Sequence, residues 1–448
     1  MKEYDVIIIG TGPAGMLAAL EFVEKGKGSK ILMIEKGPVR KITEEENNLF
    51  GWGGAGAFSD GKLTLTHETG GQLIERGCVN TAEFDDLMRY VDGIFEKFGG
   101  KQAIKFGDKQ NIANLLRTAS SAGLELVPYP IKHWGREGAY SLVESIREYL
   151  LKKGVTIAVN SEATLIERTS GKFVISVSDG HKFSSKFLIL APGRAGADWL
   201  GKEMERLGVK TQNNPVDLGV RIEVANSLID NLTSSLYDFK IRYITRQRRD
   251  LVRTFCVCPS GVVIMEKHSD YTTVNGQTYQ NQKSKNTNFS ILVSMPFTEP
   301  FQDPNAYGRH IAKVATLLAD NSVLVQTLAD FQNNRRSRKK SIEEFFVKPT
   351  LLQAAPGDLR LALPERFIAA ISEMIEALDK VIPGINNGNN ALLYGVEAKF
   401  YSRRVALKKN LETSVDNLYV IGDGSGYTRG ILQSAMMGVI VARDIINK

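Results

Sequence analysis

Three glycine-rich turns and two acidic residues in this sequence have the types and spacing of a phosphate-binding site. Gly10-Thr11-Gly12-Pro13-Ala14-Gly15 is a G-x-G-x-x-G turn, and Glu35 lies 20 residues past its last glycine. Gly10 permits a sharp turn, Gly12 lets a pyrophosphate approach the backbone, and Gly15 permits close helix packing. The Glu35 carboxylate can accept from both ribose hydroxyls and repels a 2′-phosphate, which points to FAD or NAD over NADP. A second run, Gly51 with Gly53-Gly54-Ala55-Gly56, precedes Ser59 and Lys62. Backbone this bare is either a loose surface loop or a tight path along a flat or phosphorylated ligand. The third run starts at Gly422-Asp423 and closes at Gly430-Ile431. An acid there can bond a polyol chain such as ribityl, and a helix behind the turn aims its positive end at the ligand.

The elements that must hold these groups are legible. An apolar strand over 4–9 leads into the first turn, a helix follows over 16–23, and a second strand covers 30–34. Residues 154–190 read as β-structure broken into hairpins at Ser170-Gly171 and Asp179-Gly180, ending in Ala191-Pro192-Gly193. Residues 418–421 form a strand and 431–446 a helix with one apolar stripe.

From these blocks the chain resembles the glutathione-reductase-like flavoproteins, in which an N-terminal βαβ unit, an Ala-x-Gly strand end and a C-terminal Gly-Asp segment together hold FAD. It is similar in particular to the branch of uncharacterised FAD-dependent dehydrogenases, through Gly51 to Leu63, Cys256-Val257-Cys258-Pro259-Ser260-Gly261, Gly219-Val220-Arg221-Ile222-Glu223 and Gly395-Val396-Glu397. The resemblance implies FAD held by Gly10, Gly12, Pro13, Ala14, Gly15, Glu35 and Lys36. It adds Gly53, Gly54, Ala55, Gly56, Ser59 and Lys62 from the second run, Ala191 and Gly193 from the middle, and Gly422, Asp423, Gly430 and Ile431 from the end. In such proteins the second run passes the pyrophosphate towards the isoalloxazine. This chain departs from the branch at Ser260, Ser425 and Thr428-Arg429, and Arg429 either adds a cation beside the flavin or points to solvent.

The expected fold class is α/β: a Rossmann-type FAD domain, with a parallel sheet and β-meander, plus an antiparallel-sheet α+β substrate domain. The FAD domain is expected to be discontinuous, over 1–45, 141–214 and 384–448, with 215–383 and parts of 50–140 forming the second domain. Strands are expected there over 219–224, 251–258, 261–266 and 289–294, and a helix over 364–378. The substrate is expected where the two domains touch.

Catalytic candidates are fewer. Cys256 and Cys258 are two apart on a strand and so face the same way. They stand either against the flavin or as two buried small hydrophobes. His133, in a Pro-rich loop, is a candidate general base or a plain loop histidine. Arg221 and Glu397 read more readily as a structural ion pair. There is no C-x-x-C for a disulfide relay and no second strand–GxGxxG–helix unit, so NAD(P)H, if it is the reductant, binds transiently over the ring. No metal site is expected.

The composition sets the rest. With 448 residues, of which 43% are hydrophobic, one core is too few and two domains are expected. Three cysteines are too few for a disulfide framework, and with no secretory leader and no membrane span in the sequence a cytoplasmic location is expected. The net charge of +7 gathers in 242–253 and 335–340. Such runs are solvated faces or anion-attracting surfaces, and neither is interleaved with aromatics as a single-strand nucleic-acid platform is. The function expected is an FAD-dependent oxidoreductase passing a hydride between a small organic substrate and flavin N5. The alternatives are a flavin-dependent tRNA-modifying enzyme, a reductase of isoprenoid or lipid chains, and a scaffold with structural FAD.

Overall fold

The computed structural model describes residues 2–26, 28–39, 50–57, 59, 61–102, 104–279, 283–297 and 299–448. Phe58 and Asp60 of the second glycine run, and the domain boundary expected at residue 45, lie outside them. The chain divides into two units, 1–103 with 132–214 and 401–448, and 104–131 with 215–400.

The first unit is built on a seven-stranded sheet. Its parallel part runs Thr156–Ala158, Ile31–Ile34, Lys2–Ile9, Lys182–Leu190 and Leu418–Val420. Lys182–Leu190 changes partner along its length. Residues 182–185 pair antiparallel with Lys172–Val177, which pairs in turn with Ala163–Thr169. Residues 188–190 pair instead with 418–420. Successive residues of the central strands alternate between two apolar layers, as strands covered on both sides must. Val6, Ile8, Ile31, Met33 and Ile189 face the helices Pro13–Lys25, Ile431–Ile446, Thr81–Lys97 and Gly135–Lys152. Ile7, Ile9, Leu32, Ile34 and Leu190 face Phe173, Ile175 and the helix Ala197–Arg206.

Register decides where a ligand can go. Ile34, Ile9, Leu190 and Val420 stand in one row. The residues that leave the sheet, Glu35, Gly10, Ala191 and Ile421-Gly422, therefore line one edge, the carboxyl end where open α/β sheets bind ligands. The first and last helices, which start near that edge, pack against each other at backbone distance. A Cβ on Gly438 would lie 2.2 Å from the Ala14 carbonyl oxygen. Arg443 on the last helix donates at 2.7 Å to Glu21 on the first, a carboxylate with no exposed surface.

The second unit is an eight-stranded sheet in the order Ala355–Pro356, Leu324–Thr327, Ala391–Lys399, Val216–Ala225, Asn286–Met295, Leu251–Cys258, Lys240–Ile244 and Leu124–Val127. Its pairs are antiparallel except at Ala355–Pro356. Leu218, Val220, Ile222, Phe289, Ile291 and Val293 face a core completed by the helices Glu365–Leu378 and Asn226–Ser235. The opposite face is polar yet buried, with Asp217, Arg221, Glu223, Asn288, Ser290 and Glu397 all without exposed surface.

Three details differ from the sequence reading. Residues 384–400 do not join the first unit, because Ala391–Lys399 is a central strand paired with Val216–Ala225 and Leu324–Thr327. His133 ends a short strand, Ile131–His133, since the prolines at 128 and 130 stand before that strand and not inside it. Cys256 and Cys258 do not sit on a regular strand. A bulge falls between Phe255 and Cys258, Cys256 has φ +47°, and the core-facing phase passes from Val252 to Val257.

Candidate functional site

A cleft in the first unit runs along the carboxyl edge of its parallel strands. It is lined by Gly10, Thr11, Gly12, Pro13 and Ala14, by Glu35 and Phe50, by Gly54, Ala55, Gly56 and Ser59, by residues 191–194, and by Gly422, Asp423, Arg429, Gly430, Ile431 and Ser434. All three glycine-rich turns thus meet at one place. Of the cofactor residues expected from the sequence, Gly15, Lys36, Gly53 and Lys62 are not among those lining it.

The glycines of the first turn do different jobs. A Cβ on Gly10, at φ +99°, would lie 2.1 Å from the Ala191 carbonyl oxygen, and one on Gly15 would lie 2.1 Å from that of Gly10. Both are bare because the chain itself presses on them. A Cβ on Gly12 would meet nothing within 4 Å, and its φ of −66° suits any residue. The space over Gly12 is open at the N-terminus of Pro13–Lys25, where unpaired N–H groups and the helix dipole favour a phosphate. Gly54, at φ +58°, brings the second run to within 3.1 Å of the Gly12 Cα, measured from where its own Cβ would be. Gly53 packs instead on Val143 and Ala57.

Glu35 is more committed than the sequence suggests. Its Oε2 accepts from the Thr11 N–H at 3.1 Å and the Thr11 hydroxyl at 2.8 Å. Its Oε1 accepts from the N–H groups of Gly37 at 3.0 Å and Gly51 at 2.9 Å. Four protein donors occupy the roughly four acceptor positions of a carboxylate. Glu35 therefore clasps the first turn to the second glycine run while placing its charge on the cleft wall. Lys36 turns away to Glu162 at 3.0 Å. The Ser59 hydroxyl donates to the Gly56 carbonyl at 2.9 Å and accepts from the Gly61 N–H at 3.1 Å, which braces the turn beside the cleft.

Asp423 forms the other end. Gly422 reaches it at φ +68°. Oδ1 accepts from the hydroxyls of Thr428 at 2.9 Å and Ser434 at 3.0 Å, and Oδ2 lies 3.9 Å from Arg194 Nε. Burial holds its carboxyl above the usual range, against the pull of Arg194, the two hydroxyls and Arg429. Arg429 lines the cleft with its guanidinium 3.7 Å over the Tyr401 ring. That stacking fixes a cation that the sequence left between two orientations.

Arg194 and Thr11 escaped the sequence reading. Arg194 follows the Ala191-Pro192-Gly193 exit directly, and its position one residue past a strand-end glycine was the available signal. Thr11 is a variable position of the fingerprint, and only its bonds to Glu35 distinguish it.

The catalytic candidates lie elsewhere. His133 is buried in the first unit and does not line the cleft. Cys256 and Cys258 belong to the second unit, where the Cys258 thiol donates to the Cys256 carbonyl at 3.7 Å. There the Arg221 guanidinium grips Glu397 at two points, 2.8 and 2.9 Å, and donates to Asn288, Ser290 and the Cys256 carbonyl. Burial works to raise the Glu397 carboxyl, but Arg221 and then Lys399, at 3.0 Å, hold it below the usual range. The pair is structural in its geometry, since every guanidinium edge is used within the sheet.

Two family matches bear on this site. Residues 5–55 match the family described as FAD binding domain, and residues 215–400 match that described as FAD-dependent protein, C-terminal domain-like. A protein of Clostridium beijerinckii described as uncharacterized is 28% identical, with the match covering 99% of this chain and 80% of that one. Among solved structures, glycine oxidase from Geobacillus kaustophilus is 13% identical with a TM-score of 0.41, over 100% of this chain and 95% of that one. L-proline dehydrogenase from P. horikoshii is 11% identical with a TM-score of 0.44, over 99% and 93%. The residues around Gly12 and Asp423 fit a dinucleotide, and the two family matches name that dinucleotide as FAD.

Proposed function

We propose that this chain is a dehydrogenase or reductase of a small organic substrate, of the glutathione-reductase-like kind, with bound FAD supplying two-electron hydride chemistry at its N5. The observation that carries the reading is the open space over Gly12 between two glycines that the protein itself needs bare. In this reading the N–H groups after Gly12 hold the pyrophosphate. The Glu35 charge turns away a 2′-phosphate, and Thr11 shares its hydroxyl between Glu35 and the ribose edge. Asp423 Oδ2 accepts from the ribityl chain. Arg194, Arg429 and the N-terminus of Ile431–Ile446 supply positive charge to the cleft wall, where negative charge is held most cheaply.

The second unit is proposed to bind the substrate, and NAD(P)H to act, where it acts, as a transient reductant. The enzyme is proposed to work in the cytoplasm, a compartment suited to a chain whose three cysteines are too few for a disulfide framework. Among the described residues no helix is long and apolar enough to cross a membrane.

The test is the visible spectrum of the purified protein, followed by anaerobic titration with NADH, NADPH and a panel of metabolites. A flavin spectrum that bleaches with one of them supports the reading. A protein that stays colourless after reconstitution with FAD overturns it.

A further inference from the structure

The basic run at 335–340 is not a loose, solvated tail. Ser337, at its centre, has no exposed surface. Its hydroxyl donates to Asp330 at 2.6 Å and accepts from the Thr327 N–H at 2.9 Å. Its own N–H donates to the Gly357 carbonyl at 3.0 Å, and the Arg336 guanidinium reaches the Pro356 carbonyl at 3.5 Å. The run is therefore pinned at the carboxyl ends of Leu324–Thr327 and of Ala355–Pro356, the edge strand of the eight-stranded sheet. Arg336, Arg338, Lys339 and Lys340 on either side of Ser337 are exposed. Between 335 and 348 six cations face the carboxylates of Glu343 and Glu344, which lie 3.8 Å from Lys339 and Lys340, while Arg335 pairs with Asp330.

Apolar side chains stand out beside this charge. Phe346 is 77% exposed and Leu352 82%, while their neighbours Val347 and Leu351 are buried in one small apolar cluster. The Ser322 hydroxyl donates at 2.7 Å to the Gln353 carbonyl, which ties Leu352 to the end of the helix Pro304–Leu318. Leu317 on its last turn is 81% exposed. Large apolar groups held outward by a buried base, next to a fixed basic run, mark an interaction surface. The other basic run lacks this combination. The apolar neighbour of that run, Ile244, is only 42% exposed.

We propose that this edge of the second unit docks on an anionic lipid bilayer, with the basic run on the headgroups and Phe346 and Leu352 entering the interface. The charge complements an anionic leaflet, which draws Lys and Arg clusters to its surface. The apolar groups add the shallow insertion that charge alone does not give. A chain with no membrane-crossing helix among its described residues would in this way act at a membrane surface.

The test is cosedimentation of the full-length, FAD-loaded protein with two vesicle types, phosphatidylcholine alone and phosphatidylcholine with about 30% phosphatidylglycerol. The expected result is binding to the anionic vesicles only, weakened at least about fivefold when salt is raised from about 0.05 M to about 0.5 M. The variants R336Q/R338Q/K339Q and F346S/L352S should each weaken it about fivefold or more, with flavin absorbance and melting temperature unchanged. No binding by the unaltered protein at low salt overturns the proposal, as does binding that survives both variants. A loss in the charge variant alone assigns the surface to another polyanion. Conversion of a dimer to a monomer by F346S/L352S without any vesicle binding assigns it to a second copy. Either result also overturns the proposal.

Discussion

Thr11 gives Glu35 two hydrogen bonds at once, N–H and hydroxyl both reaching Oε2. Gly37 and Gly51 hold the other oxygen. Glu35→Gln keeps the shape but turns one acceptor into a donor, leaving buried N–H groups unmet at about 1–3 kcal/mol. The variant should melt several degrees lower without FAD and should also retain less FAD. Calorimetry of both forms checks this, and an unchanged melting temperature of the FAD-free form would show that the clasp is not structural.

Gly10 and Gly12 should separate folding from binding. Gly10→Ala sets a methyl 2.1 Å from a carbonyl oxygen at a left-handed φ and should give insoluble protein. Gly12→Ala has room in the protein and should fold with an unchanged melting temperature while binding FAD at least about tenfold more weakly. Fluorescence titration with FAD reads the difference. Wild-type affinity in Gly12→Ala would remove the pyrophosphate from this turn.

Asp423 has a carboxyl raised by burial. Such a group stabilises the fold while it is protonated, and that contribution is lost as pH climbs from its unfolded value through its folded one. Asp423→Asn should therefore raise the melting temperature of the FAD-free protein at pH 7, with little gain near pH 3. It should also retain FAD poorly if Oδ2 is the acceptor for the ribityl chain, as proposed. Melting curves across pH test the first half and flavin content the second.

Glu397→Gln leaves the Arg221 guanidinium buried without a counter-charge. Losing one partner of such a pair costs about 3–5 kcal/mol. Arg89→Gln breaks the Arg89–Asp86 pair, whose side chains are 69% and 76% exposed, and should cost less than about 1 kcal/mol. Urea unfolding of the two variants gives the ratio. Equal costs would mean that the buried pair is not a strut of the sheet.

Local signals carried the sequence reading well at the two ends of the chain. The turn at Gly10–Gly15, the strands around it and the helix after Gly430 are short-range features, and each shows in spacing and glycine placement. What stayed hidden depends on partners far away in the sequence. Ala391–Lys399 joins the second unit because Val216–Ala225 needs a neighbour on that side, and nothing in GVE itself says so. The bulge at Cys256 is set by the register against Asn286–Met295. The saturation of Glu35 follows from Thr11 and Gly51 arriving together. The place of Arg429 on the cleft wall goes with its stacking on Tyr401, 28 positions earlier.

The walls of the cleft come from opposite ends of the chain, held by contacts such as that between Glu21 and Arg443, 422 positions apart. Closing so long a span is entropically slow compared with forming the hairpins or the second sheet. The nucleotide pocket exists only once this span is closed, and a ligand that prefers the assembled state pulls that step to completion by mass action. Scarcity of riboflavin in a growing cell would accordingly show first as lower abundance of the protein, before any change in its specific turnover.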